Sequence, residues 1–265
     1  MVLDSVTALT AAAAGAMVVA GSHGGRYAAA LAAVPGLRGI ILHDAGIGRE
    51  RAGVAGLAWL GAQGMPAAAV GHLSARIGDG ADMLARGVLS VVNPAAARLG
   101  CAVGQPAAAA ARLLLAAVPA AVVPFSAAEA RCLLRAGPVP VWGLDSNGLV
   151  GPEHVGAIVV TGSHGGLLGG RAGSAVKAAV LAAIYNDAGI GIDQAGLGRL
   201  AALAARGIAA ATVAAASARI GEARSTWADG VVSAVNAPAA ACGGAPGMTV
   251  PALVDRILHH TGAAG

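Results

Sequence analysis

Short apolar runs alternate along the chain with glycine-rich turns and alanine-rich stretches. AMVVA (16–20) leads into GSHGG and then RYAAALAAV (26–34), and RGIILH (38–43) into DAGIG and VAGLAWLGAQG (54–64). MPAAAV (65–70) leads into GHLSARIGD and ADMLARG (81–87), and VLSVV (88–92) into Asn93 and PAAARLG (94–100). Apolar runs without polar alternation predict strands buried on both faces, and the stretches between them predict helices covering those faces. The expected fold is α/β, three-layered, with mostly parallel sheets.

The same rhythm occurs twice. Residues 4–25 align with 145–166 at an offset of 141, and after a two-residue insertion the offset becomes 143. It then holds for HDAGIG (43–48) with NDAGIG (186–191), SARIGD (74–79) with SARIGE (217–222), and RGVLSVVN (86–93) with DGVVSAVN (229–236). A period this long is that of a domain or half-domain, so an internal duplication and a pseudo-twofold molecule are expected. The expected units are 1–118 and 142–265. They are joined by 119–141, where Ser126 followed by AAEARCLLRA predicts a capped helix before the strand VPVWGL.

Composition narrows the class. With 57% hydrophobic and only 11% charged residues the chain is not disordered, and its 41 glycines show no three-residue period. The +4 charge comes from scattered arginines and one lysine, Lys177, with few aromatics, which argues against nucleic acid and mildly favours small anionic ligands. Cys101, Cys132 and Cys242 lack any CxxC spacing, so a reducing, cytoplasmic setting without structural disulfides is expected. Mean hydropathy is +0.72 and residues 5–25 carry no formal charge. The basic start of a signal peptide is missing, however, and the segment recurs in mid-chain, so it reads as a buried strand and no membrane partner is expected. A homo-oligomer is compatible with all of this.

Each repeated block follows a predicted strand, and in open α/β sheets ligands bind at the strand C-terminal edge. Ser22, His23, Asp44, Ser74, Arg76 and Asn93 are therefore expected on one edge of the first unit, and Ser163, His164, Asp187, Ser217, Arg219 and Asn236 on that of the second. The glycines of GSHGG allow close backbone approach to a ligand. This turn resembles the nucleophile elbow of α/β-hydrolases in outline, but Ala20 or Thr161 stands where that motif has glycine. No Asp and His pair follows in that fold's order, so no family is assigned. The alternative for each block is structural: a serine cap, an Asx-turn at Asp44 and Asp187, an arginine tied to Asp79 or Glu222, and an asparagine capping a helix.

The copies differ at His43 and His72, which face Asn186 and Ala215 in the alignment. Together with His23 and Asp44 they form a minority candidate for a Zn²⁺ or Fe²⁺ site, without a recognised metal spacing. No cofactor is otherwise expected, since GxGxxG and Walker patterns are missing.

The leading functional expectation is hydrolysis of an amide, lactam or ester in a small carboxylate-bearing molecule. Ser22 or Ser163 would be the nucleophile, His23 or His164 the base, with His72 reinforcing the first unit, and Asp44 or Asp187 the orienting acid. Ser74, Arg76, Asn93, Ser217, Arg219 and Asn236 would bind substrate. The alternatives are a non-catalytic small-anion binding protein, or an isomerase or racemase whose two acid/base sets flank one substrate.

Overall fold

The computed structural model describes residues 1–33, 36–119, 122–123 and 128–262. The first unit runs β1 (Val2–Leu3), β2 (Met17–His23), α1 (Arg26–Ala33), β3 (Gly39–His43), α2 (Ala55–Ala62), β4 (Ala67–Val70), α3 (Gly80–Arg86), β5 (Leu89–Val92), α4 (Pro94–Arg98) and α5 (Ala107–Leu114). After the connection come β6 (Arg131–Arg135), β7 (Val141–Leu144), β8 (Ile158–His164), β9 (Ala182–Asn186), α6 (Gly198–Ala204), β10 (Ala209–Val213), α7 (Ala223–Asp229), β11 (Val232–Val235), α8 (Ala237–Ala241) and α9 (Val250–His260). The strands form two sheets, in the orders β1-β2-β3-β4-β5 and β11-β10-β9-β8-β7-β6. Pairing is parallel except at β4–β5, β9's neighbour pair β10–β11, and β6–β7.

Both faces of each sheet are covered, which is why the strands lack polar alternation. In the first unit Val18, Ala20, Ile40 and Leu42 pack under Ala29 and Ala32 of α1 and Leu57 and Leu60 of α2. The intervening Val19, Ile41 and Ala68 pack on the other face against Met83 of α3 and Ala110 and Leu114 of α5. In the second unit Ile158, Val160 and Ile184 pack against Leu253, Val254 and Ile257 of α9. Val159, Ala183 and Tyr185 pack beneath Leu200 and Leu203 of α6.

Two expectations are corrected. Arg131–Arg135, predicted as helix, is an edge strand antiparallel to β7, while Ser126 and Ala127 lie outside the described residues. Edge pairing with β7 overrides the helix propensity of that Ala/Leu-rich stretch. Strand β5 runs antiparallel to β4, so its C-terminal end lies at the start of β4: the Asn93 amide donates to Ala67 O at 3.0 Å. Asn93, and Asn236 by the matching bond to Ala210 O at 2.9 Å, therefore stand at the edge opposite GSHGG. The units also differ after that turn. Where the first has α1, the glycine-rich second forms only 3-10 turns at Leu168–Gly170 and Ala172–Ser174.

The units meet through reciprocal contacts. Arg49 N donates to Ala215 O and Ile192 N to His72 O, each at 2.8 Å, and Ala45, Ile77, Ala188 and Ile220 form a small apolar cluster there. The DAGIG loops reach this contact through four successive left-handed residues each, Ala45 to Gly48 and Ala188 to Gly191. A Cβ on Gly46 would lie 2.9 Å from Gly189 Cα, so the loops cross where only glycine fits.

Candidate functional site

The GSHGG turns of both units open into one cleft of about 780 Å³, lined by Ser22, His23, Ser163 and His164. That volume suits a small organic molecule. Each turn is held against the SARIG loop of its own unit, since Gly78 N donates to Gly21 O at 2.8 Å and Gly221 N to Gly162 O at 2.7 Å. A Cβ at Gly21 would come within 2.6 Å of Asp79 N, and one at Gly162 within 2.5 Å of Glu222 N, which explains the first glycine of the motif.

Each imidazole also leans on the opposite unit. His23 Cε1 lies 3.5 Å from the position a Cβ would take on Gly221, and His164 Cε1 lies 3.4 Å from the corresponding point on Gly78. The rings share one orientation: Gly25 N donates to His23 Nδ1 and Gly166 N to His164 Nδ1, both at 3.2 Å. A backbone N–H aimed at Nδ1 requires that nitrogen to be the acceptor, so in the neutral ring the proton sits on Nε2. Burial, reinforced by the nearby His43, pushes His23 down to about 4. His164 lies well below the ordinary histidine value because of burial, then Arg199, His23 and His43. Both rings are therefore neutral near pH 7 and present an Nε2–H donor.

Ser22 and Ser163 stand beside them but are not bonded to them. Ser22 Oγ accepts from Val6 N at 2.9 Å and Ser163 Oγ from Asn147 N at 2.8 Å.

Asp44 and Asp187 do not line this cleft. Asp44 Oδ1 accepts from the amides of Gly46 and His72, both at 2.9 Å, and its Oδ2 from Ser90 Oγ at 2.8 Å. Asp187 Oδ1 accepts from Gly189 N and Ala215 N at 2.9 and 2.8 Å. Burial alone would raise the Asp44 carboxyl, yet the His72 ring, Gly46 and Ser90 hold it below the usual carboxylate range. These acids lock the left-handed DAGIG loops and are not bonded to a catalytic histidine.

His72 lies 3.1 Å from Asp44 Oδ1 through Nδ1, which raises its pKa, and it packs against Gly189 and not into the cleft. His43 is structural: Nδ1 accepts from Ala45 N and Nε2 bonds Ala75 O, both at 3.0 Å. Asn186 reproduces this pattern, accepting from Ala188 N at 2.9 Å and donating to Ala218 O at 3.2 Å. The His/Asn difference at this position thus leaves the local bonding unchanged. Both nitrogens of His43 are taken by backbone groups. Among the described residues no group of three His, Cys, Asp or Glu gathers for a metal.

The residues expected to bind substrate are placed elsewhere, with one exception. Ser74 and Ser217 close their own turns, donating to Gly71 O and Ala214 O and accepting from Val88 N and Val231 N. Asn93 caps α4 and bonds Ala67, Leu57 and Met65, and Asn236 caps α8 with matching bonds to Ala210, Leu200 and Ile208. Arg76 pairs across the units with Asp193 at 2.9 Å. Asp79 caps α3 and does not pair with Arg76. Arg219 does line the cleft, where Glu222 at 2.7 Å and Glu50 at 3.1 Å hold it.

The cleft also contains groups the sequence reading passed over: Arg199, Lys177, Tyr27 and Glu129. Arg199 is 3% exposed, its Nε donates to His164 O at 3.1 Å, its Nη1 donates to Ser174 O and Ala175 O, and it lies 5.1 Å from the Tyr185 ring centre. Its counterpart at the 143-residue offset is Gly56. That replacement of glycine by arginine between otherwise matched blocks is the signal that could have found it.

The chain matches no protein-family model, no curated protein and no solved structure. Among the described residues no helix is long and apolar enough to cross a membrane.

Proposed function

We propose that the protein binds one small carboxylate-bearing molecule in the cleft shared by its units and acts on it by polarising a carbonyl or carboxyl oxygen between His23 and His164. The observation that carries this reading is the Gly25 and Gly166 amides on the two Nδ1 atoms. They make each ring a neutral Nε2–H donor, suited to stabilising charge that develops on oxygen. The same amides oppose a general-base role, because a ring that accepts a proton at Nε2 must carry its other proton on Nδ1, against a backbone N–H. A Ser-His-Asp relay through His23 or His164 has no orienting acid either, since Asp44 is bonded to Gly46, His72 and Ser90 and Asp187 to Gly189 and Ala215. Ser22 and Ser163 accept from backbone amides; the Ser22 hydroxyl turns its hydrogen to Ser5 Oγ at 3.5 Å, whereas that of Ser163 can donate to the ligand.

The test is calorimetric titration with succinate, followed by His23→Ala and His164→Ala, which remove the Nε2–H donor. The reading expects one succinate per chain and a loss of affinity of about tenfold or more in each variant, the value of one donor to a charged group. Two succinates per chain, or a variant pair that binds unchanged, would refute it.

A further inference from the structure

The charges lining the cleft fall into two groups. Some are matched within the protein: Arg219 lies between Glu50 and Glu222, and Asp145 accepts from the amides of Ala130 and Ala223 at 2.8 and 2.9 Å. Others are not. Arg199 is buried with no carboxylate within 4.0 Å among the described residues, and only carbonyl oxygens and the Tyr185 ring face it. An arginine stays charged under all ordinary conditions, so a buried guanidinium answered only by dipoles has room for an anion. Lys177, two residues beyond Ala175, lines the same cleft and has no ion-pair partner among the described residues. Arg26, exposed at the start of α1, adds a third such cation at the rim.

Among the carboxylates of the cleft, Glu50 and Glu222 hold Arg219 and Asp145 is answered by two backbone amides, which leaves Glu129. Glu129, on the segment joining the units, is half-buried in the cleft beside the hydroxyls of Tyr27 and Ser146, with no cation within 4.0 Å among the described residues. Burial raises its pKa, helped by the nearby Asp145 and against the lowering effect of those two hydroxyls and of Arg131. A half-buried carboxylate of this kind is best answered by a ligand group that brings a proton and a positive charge.

We infer that the cleft is built for an amino acid, its carboxylate held at Arg199 and Lys177 and its ammonium at Glu129. This rests on the reading of the cleft as a small-carboxylate site and specifies the class of molecule. It also explains why matched units carry unmatched side chains here. Gly56 stands opposite Arg199, and Glu129 belongs to neither repeat, so the two ends of a single asymmetric ligand would be distinguished although the imidazoles flanking it are equivalent.

The experiment compares glycine, β-alanine and γ-aminobutyrate with malonate, succinate and glutarate by calorimetry on the full chain. The native protein is expected to bind the best amino acid roughly tenfold tighter than the best dicarboxylate, as removal or reversal of one buried charge partner implies. Glu129→Gln should abolish that preference, and Lys177→Gln should weaken both classes alike. Both residues are exposed or half-buried and carry no backbone bonds that the fold needs, whereas Arg199→Lys serves as a check that keeps the charge at the buried position. Dicarboxylates binding one per chain at least as tightly as the amino acids, or a preference unchanged in Glu129→Gln, would overturn the inference and leave the carboxylate reading standing. If neither class binds, both fall together.

Discussion

The buried imidazole of His23 makes stability depend on pH in a way that can be worked out. In the unfolded chain this ring titrates near 6.5, whereas in the fold burial and His43 hold it at about 4. Between those values the unfolded state binds more protons than the folded one, so stability rises with pH there. The contribution is full above the unfolded value and is lost as the pH falls through 6.5 towards 4. The whole window corresponds to roughly 3 kcal/mol, and about 2 kcal/mol of it is lost between pH 7.5 and 5. His43 and His164 are also lowered and add to the same slope, while His72, raised by Asp44, opposes it by favouring the fold at low pH. The difference between native protein and His23→Gln isolates one ring, since the glutamine amide oxygen can still accept from Gly25 N. Urea unfolding at the two pH values should show the variant losing about 2 kcal/mol less than the native protein on acidification. Equal losses in both would show that His23 is not held neutral by burial, and the donor assignment would go with it.

His43→Asn should cost less than about 1 kcal/mol, because Asn186 makes the same pair of bonds in the other unit, whereas His43→Ala should cost about 2 kcal/mol or more by leaving the Ala45 amide and Ala75 carbonyl unpaired. Chemical denaturation measures both. Asn93→Ala removes a helix cap and leaves the buried Leu57 and Met65 carbonyls unanswered, so a loss of about 3 kcal/mol is expected in thermal unfolding without a direct effect at the cleft. His72→Ala should leave succinate affinity within about twofold, as the ring lies outside the cleft, and should lower stability more at pH 6 than at pH 8, because the Asp44 partner favours the protonated ring in the fold. A large affinity loss in that variant would return His72 to the site.

Much of the architecture is legible in the repeats. The parallel strands, the two units and the placement of GSHGG and SARIG on one edge all follow from apolar runs that end in recurring glycine-rich blocks. The direction of β5 does not, because VLSVV is equally apolar read either way and its antiparallel pairing with β4 is a tertiary choice. That reversal removed Asn93 and Asn236 from the expected edge. The strand at Arg131–Arg135 was hidden by helix-favouring composition, since an open edge of β7 is a tertiary fact. The site was half visible. Ser22, His23, Ser163 and His164 are brought together, yet which nitrogen of each ring faces the ligand depends on amides two residues further on. Asp44 and Asp187 satisfy the Asx-turn reading because the left-handed loops they hold are needed where the units cross. Arg199 reads in sequence as one more arginine on an alanine-rich helix, marked only by its stand opposite Gly56, and its burial against the carbonyls of His164 and Ser174 is what gives that difference meaning.

The most direct test of the shared cleft is nitrogen NMR of the imidazoles during a succinate titration. The account predicts that His23 and His164 in the free protein each show an unprotonated Nδ1 and a protonated Nε2 at neutral pH, and that both Nε2 resonances shift together with a midpoint at one succinate per chain. Protonated Nδ1 atoms in the free protein, or a response confined to one of the two rings, would contradict it.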